Sequence, residues 1–121
     1  MLYIDVNKML IELTRGDNAS IVFSAVDAGG ETYTPVEGDN LTFAVSKKWG
    51  AEPIFSITNE YDGEDEDTFW TINITPEHTH ELAFKDFVWD IQLITSTGTT
   101  TIIGRTDTIS PTFRVWGESA K

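Results

Sequence analysis

The chain has 121 residues, carries 20 acidic against 8 basic side chains for a formal net charge of −12, and contains no cysteine. Its length suits one domain with a real core, its charge opposes binding to a phosphate backbone or an anionic membrane, and the lack of cysteine excludes disulfides and thiolate-held metal. Hydrophobic residues at 40% and aromatics at 12% mark a globular rather than a disordered chain. Both halves are acidic, which serves solubility or a partner with a basic surface.

The N-terminal stretch from Met1 to Lys8 has neither the basic nor the apolar region of a signal peptide, and no apolar run approaches the ~20 residues of a bilayer span. Synthesis in the cytoplasm is expected. Met9–Leu13 reads as the first strand. Thr14–Asn18 is a turn, and Ser20–Val26 a second strand with Ile21, Phe23 and Ala25 on one face. Asp27–Glu31 is a glycine-bearing turn. Thr32–Pro35 is a short edge segment, because Pro35 has no N–H for a ladder. After a turn at Val36–Asn40, Leu41–Ser46 alternates with Leu41, Phe43 and Val45 inward. Lys47–Pro53 is a loop, Ile54–Thr58 a short strand, Tyr61–Asp67 the most charged loop, and Phe69–Ile74 the next strand. Thr75-Pro76-Glu77-His78 has the capping residue, the early proline and the early acid of a helix start, so a helical turn is predicted from Pro76 to about Leu82.

Phe87–Thr95 carries the largest apolar face in the chain. Phe87, Trp89, Ile91 and Leu93 fall on one side of a strand; Val88, Asp90, Gln92 and Ile94 fall on the other. It is predicted as the central strand. A hairpin turn at Ser96–Thr99 leads to a return strand at Thr100–Gly104, and a last strand runs from near Ile109 to Trp116 with Phe113 and Val115 inward. Seven or eight short strands with regular turn signals predict an antiparallel sandwich or barrel in a single domain, residues 1–121.

Arg15-Gly16-Asp17 matches an adhesion tripeptide, but it also sits where a tight turn is needed. His78 and His80 are two apart, whereas a zinc-binding helical pair needs a separation of four and further ligands, so both read as exposed histidines. The five carboxylates between Tyr61 and Asp67 lack the spacing of a calcium loop and read as a solvated hairpin tip, with weak cation binding as the alternative. No residues nominate a catalytic centre, a metal site or a cofactor site. Of the four tryptophans, Trp89 is placed in the core and Trp70 against the sandwich surface. Trp49 and Trp116 are candidate interface residues, as anchors for a protein or a sugar ring, or as covers for the sandwich ends.

Leu13-Thr14-Arg15-Gly16-Asp17, Leu41–Lys48, Ile72-Asn73-Ile74-Thr75-Pro76-Glu77, Val88–Leu93 with Gly98, Ile102 and Gly104, and Phe113 with Val115 occur in an order that resembles small tail- and baseplate-associated proteins of phages and prophages of Gram-positive bacteria. The pattern is similar to the N-terminal domain of baseplate upper proteins. The resemblance implies an immunoglobulin-like β-sandwich, a non-enzymatic structural or adaptor role in a virion, docking to other phage-encoded proteins or to copies of itself, and no cofactor. Ala83-Phe84-Lys85-Asp86 departs from the pattern, lacking its Pro and Gly, and the Tyr61–Asp67 loop is more acidic than the pattern has it. No appended shaft or receptor-binding domain is expected. A carbohydrate-binding module that stacks sugars on Trp49 or Trp116 is the alternative.

Overall fold

Period-two alternation becomes nine strands and one short helix among the residues described by the computed structural model, which are 2–24, 31, 33, 35–61, 69–83, 85–103 and 110–117. In chain order they are β1 (Leu2–Asp5), β2 (Leu10–Thr14), β3 (Ala19–Ser24), β4 (Asn40–Ser46), β5 (Pro53–Glu60), β6 (Phe69–Ile74), α1 (Pro76–Thr79), β7 (Asp86–Thr95), β8 (Gly98–Ile103) and β9 (Thr112–Trp116). The protein is all-β. One sheet of seven strands runs β1-β2-β9-β7-β4-β5, with β8 also on β7; a second sheet holds β3 and β6. As predicted, β7 is central. One of its edges pairs with β4, and the other is shared between β9 at Asp86–Val88 and β8 at Ile91–Thr95.

Several expectations are corrected. The N-terminus adds β1, a strand the sequence reading did not assign, which pairs antiparallel with β2. β2 and β9 pair in parallel, so the large sheet is not wholly antiparallel. Alternation reports which face a side chain takes but not strand direction, and almost the whole chain lies between these two strands, ample for the crossover that a parallel pair requires. The expected edge segment is not a strand at Tyr33 or Pro35; Thr32 and Thr34 lie outside the described residues, as does the Asp27–Gly30 turn. Instead Asp39, only 4% exposed, gathers that region: its carboxylate accepts the Tyr33 hydroxyl at 2.5 Å and the Val36 N–H at 2.9 Å. The hydrogen bond to Asp39, burial and the Asp39 charge push the Tyr33 phenol up to about 12. α1 stops at Thr79, short of the predicted Leu82, and leaves through a turn in which the Leu82 N–H donates to the Thr79 carbonyl.

The core lies between the two sheets. Ile11, Leu13, Leu41, Phe43, Ile72, Ile91 and Phe113 are almost wholly inaccessible, each worth ~1.5–3 kcal/mol in transfer from water. Phe23 of β3 bridges to the large sheet, with ring centroids 6.3 Å from Phe43 and 6.2 Å from Trp89. Trp89 is core, as expected, and its indole N–H donates to the carbonyls of Thr112 (3.0 Å) and Met9 (3.2 Å). The Asn59 amide ties the sheets by donating to the Thr71 carbonyl. Trp70 does not lie on the surface: it shares the inward register of Ile72 and Ile74, is buried against Tyr61, and has an indole N–H with no hydrogen-bond partner among the described residues.

Candidate functional site

The outward face of the β4–β5–β7 ribbon is hollowed. Cross-strand pairing lines up Ser56, Ala44 and Asp90 in one row and Thr58, Thr42 and Gln92 in the next. Ala44 and Ser56 are small, so the first row leaves space above the sheet. At the end of β4 the register with β5 shifts between Val45 and Ser46, and the chain turns back at Lys48–Ala51, closed by the Ala51 N–H on the Lys48 carbonyl. Gly50 has φ of 86°, a conformation that costs glycine little. This turn lays Trp49 over the sheet, half-buried, and its indole N–H donates to Ser110 Oγ at 2.9 Å. The result is a groove of about 220 Å³ lined by Trp49, Ala44, Ser56, Val88, Asp90 and Gln92, among others.

Asp90 is the chemically exposed point of that groove. Its cross-strand neighbour is Ala44, whose side chain offers no hydrogen bond, and its carboxylate has no hydrogen-bond or ion-pair partner among the described residues. Burial pushes its carboxyl above the ordinary carboxylate value. Sequence reasoning placed Asp90 and Gln92 on the outer face and assigned them no role. The available signal was an aspartate at the middle of the most apolar strand, where that residue type is depleted.

A second concavity of about 290 Å³ opens on the β1–β3 side, with Ile4, Val6, Met9, Ile21, Val22 and Phe23 in its lining. Around it Tyr3, Val6 and Val22 are 49%, 69% and 58% exposed. Among the described residues, β1 pairs only with β2 and β3 only with β6, so each presents an unpaired edge. Val6–Met9 connects β1 to β2; the Asp5 carboxylate accepts the N–H groups of Asn7 and Lys8, and Met9 takes a left-handed φ of 51°.

The other sequence candidates separate. Trp116 is exposed on the outer face, where its indole donates to Glu12 Oε1 at 2.6 Å, and it does not line the Trp49 groove. Next to it Arg114 makes a two-point contact with Asp86, at 2.7 and 3.2 Å, and the guanidinium holds the Asp86 carboxyl below its ordinary value. Arg15-Gly16-Asp17 is a turn tied into the fold: Gly16 has φ of 89° and donates its N–H to the buried Thr79 Oγ1 at 3.0 Å, while the Arg15 N–H donates to the Trp116 carbonyl. His78 accepts the Thr75 N–H at Nδ1 (2.9 Å) and stacks on Phe55, a structural role rather than the exposed one expected, whereas His80 is exposed. No set of three or more His, Asp or Glu side chains that could hold a metal occurs among the described residues. Residues 62–67 of the acidic loop lie outside the described residues. No helix among the described residues is long and apolar enough to cross a membrane. Comparison with protein-family models, with curated proteins and with solved structures returns no match for this chain.

Proposed function

We propose that the chain is a non-enzymatic structural or adaptor module of a phage or prophage tail or baseplate, that it works by docking to other virion proteins or to copies of itself, and that its fold is immunoglobulin-like. The observation that carries the docking half is the β1–β3 side. An unpaired edge strand flanked by exposed Tyr3, Ile4, Val6 and Val22, beside an apolar groove, is the kind of surface that pairs with another strand or buries against a partner. The net charge of −12 favours a partner with a basic surface over a second copy. The phage context rests on the sequence resemblance.

Strand order supports the immunoglobulin-like half. β9, β7, β4 and β5 lie together in one sheet and β3 with β6 in the other, as the G, F, C, C′ and B, E strands do in variable-type domains. Phe23 and Trp89 touch between the two strands that a disulfide joins in antibody domains, and Phe43 stands on the strand where those domains keep a tryptophan. The chain has no cysteine, so aromatic packing takes that place.

The test is absolute mass by light scattering over a dilution series, together with co-purification of the phage proteins encoded beside it. The expected result is a defined oligomer or a defined complex that Ile4→Lys and Val6→Lys both weaken. A monomer at every dilution that captures none of those proteins overturns the reading. So does a complex indifferent to both substitutions.

A further inference from the structure

We propose that the groove over β4, β5 and β7 is the socket for one arginine side chain of a partner protein, with the guanidinium on Asp90 and its remaining N–H groups on Gln92, Ser46 and Ser56. This goes beyond docking at the β1–β3 side and does not rest on it, since the two surfaces share no lining residue except Trp89.

The polar floor of the groove carries the recognition. Trp49 is already engaged, by Ser110 at its indole N–H and by a further contact, so it serves only as a wall. Asp90 is a half-buried carboxylate with no hydrogen-bond or ion-pair partner among the described residues, and such a charge costs free energy unless a donor meets it. Gln92 lies two residues along β7 from Asp90, Ser46 two residues along β4 from Ala44, and Ser56 opposite Ala44 on β5. All three line the groove, and their side chains make no hydrogen bond among the described residues. They set neutral acceptor oxygens around one negative charge. A guanidinium answers that set: it is a planar cation with five N–H donors and no acceptor, and its fork meets a carboxylate at two points. It is also more weakly hydrated than a lysine ammonium, which favours it in a half-buried site. Lys48 lines the same groove from an exposed position and forms no ion pair with Asp90, so it does not neutralise the site. A groove of about 220 Å³ is below the ~300 Å³ of the smallest drug-sized pockets, which suits a single side-chain head. The net charge of −12 draws a basic partner and opposes an anionic ligand beside Asp90.

The experiment is an NMR titration of the intact chain with the N-acetyl amides of arginine, of lysine and of citrulline, the uncharged isostere of arginine. The arginine amide is expected to bind in the millimolar range typical of a few contacts, the lysine amide more weakly, and the citrulline amide about tenfold more weakly or worse. Added arginine amide should also lower the pH at which the Asp90 carboxyl titrates, because a bound cation favours the charged form. Ala44→Leu, which fills the floor from an outward position, should abolish binding, and Asp90→Asn should weaken it about tenfold or more. Glu77→Gln, which removes the same charge from an exposed position outside the groove, should leave binding intact. Circular dichroism of each variant separates lost binding from lost folding. The proposal is overturned if citrulline or lysine binds as well as arginine, if Asp90 titrates at the same pH with and without arginine amide, if binding survives Ala44→Leu, or if Glu77→Gln weakens binding as much as Asp90→Asn.

Discussion

The two faces of the β4–β7 pair are made from adjacent residues and behave oppositely. Phe43 and Trp89 point inward, with ring centroids 5.6 Å apart and the Phe113 ring 6.3 Å from Phe43. Ala44 and Asp90, one step along each strand, point outward and leave a groove. The inner face is buried, with Phe43 and Trp89 almost wholly inaccessible. The outer face is lined by Trp49 without being filled, and it holds a carboxylate with no partner among the described residues. The difference separates what the fold requires from what it merely tolerates.

The comparison breaks most clearly at Phe43. Phe43→Ala should cost about 3–5 kcal/mol, read from the shift in guanidinium midpoint, whereas Ala44→Leu should stay within roughly 0.5 kcal/mol. Comparable losses at both positions would mean that the outer face is core after all. Next in size, Trp89→Phe keeps most of the ring but removes the donor shared by the Met9 and Thr112 carbonyls, at a cost of about 1–3 kcal/mol.

The third prediction concerns the entrance to β4. Because the Tyr33 phenol is raised from 10.0 to about 12, its contribution is complete below pH 10 and is lost as the pH rises through about 12. The stability gap between the natural chain and Tyr33→Phe should therefore be widest near neutrality and close across that window in urea titrations. A gap that is constant with pH would remove Asp39 as the cause.

The smallest effect sharpens the outer face. With its carboxyl raised by burial, Asp90 favours the neutral form in the fold, so its penalty is absent below the ordinary value of 3.8 and appears as the pH rises through the folded value. Asp90→Asn should raise the thermal midpoint slightly at pH 7 and leave it unchanged at low pH. A lower midpoint at pH 7 would show that Asp90 has a structural partner.

The period-two pattern made the core legible. It placed Leu41, Phe43 and Val45 and then Phe87, Trp89, Ile91 and Leu93 on the inner face, and they are buried. It missed β1, whose Leu2, Tyr3 and Ile4 are all exposed and so have no buried face to alternate against. It misplaced Trp70 because the neighbour Phe69 left two registers open, and only the run through Ile72 and Ile74 decides between them. Trp49 was legible as a candidate, but its setting was not: the groove depends on Ala44 standing opposite Asp90 and on Ser110 reaching the indole, both pairings between residues distant in sequence. Trp116 is exposed, as the sequence reading allowed, and its indole is engaged by Glu12 over β2 and β9.

The parallel pairing of β2 with β9 puts Leu10 beside Thr112 and Thr14 beside Trp116. A ribosome releases β9 long after β2. Until β9 emerges, β2 can pair only with β1, and the seven-stranded sheet cannot close. Closing so long a loop carries an entropic cost that is met before the contacts reward it, which places such folds among those that form in milliseconds to seconds. During that wait Ile11 and Leu13 lack the cover that β9 brings, so the growing chain is most vulnerable to association just before β9 is made.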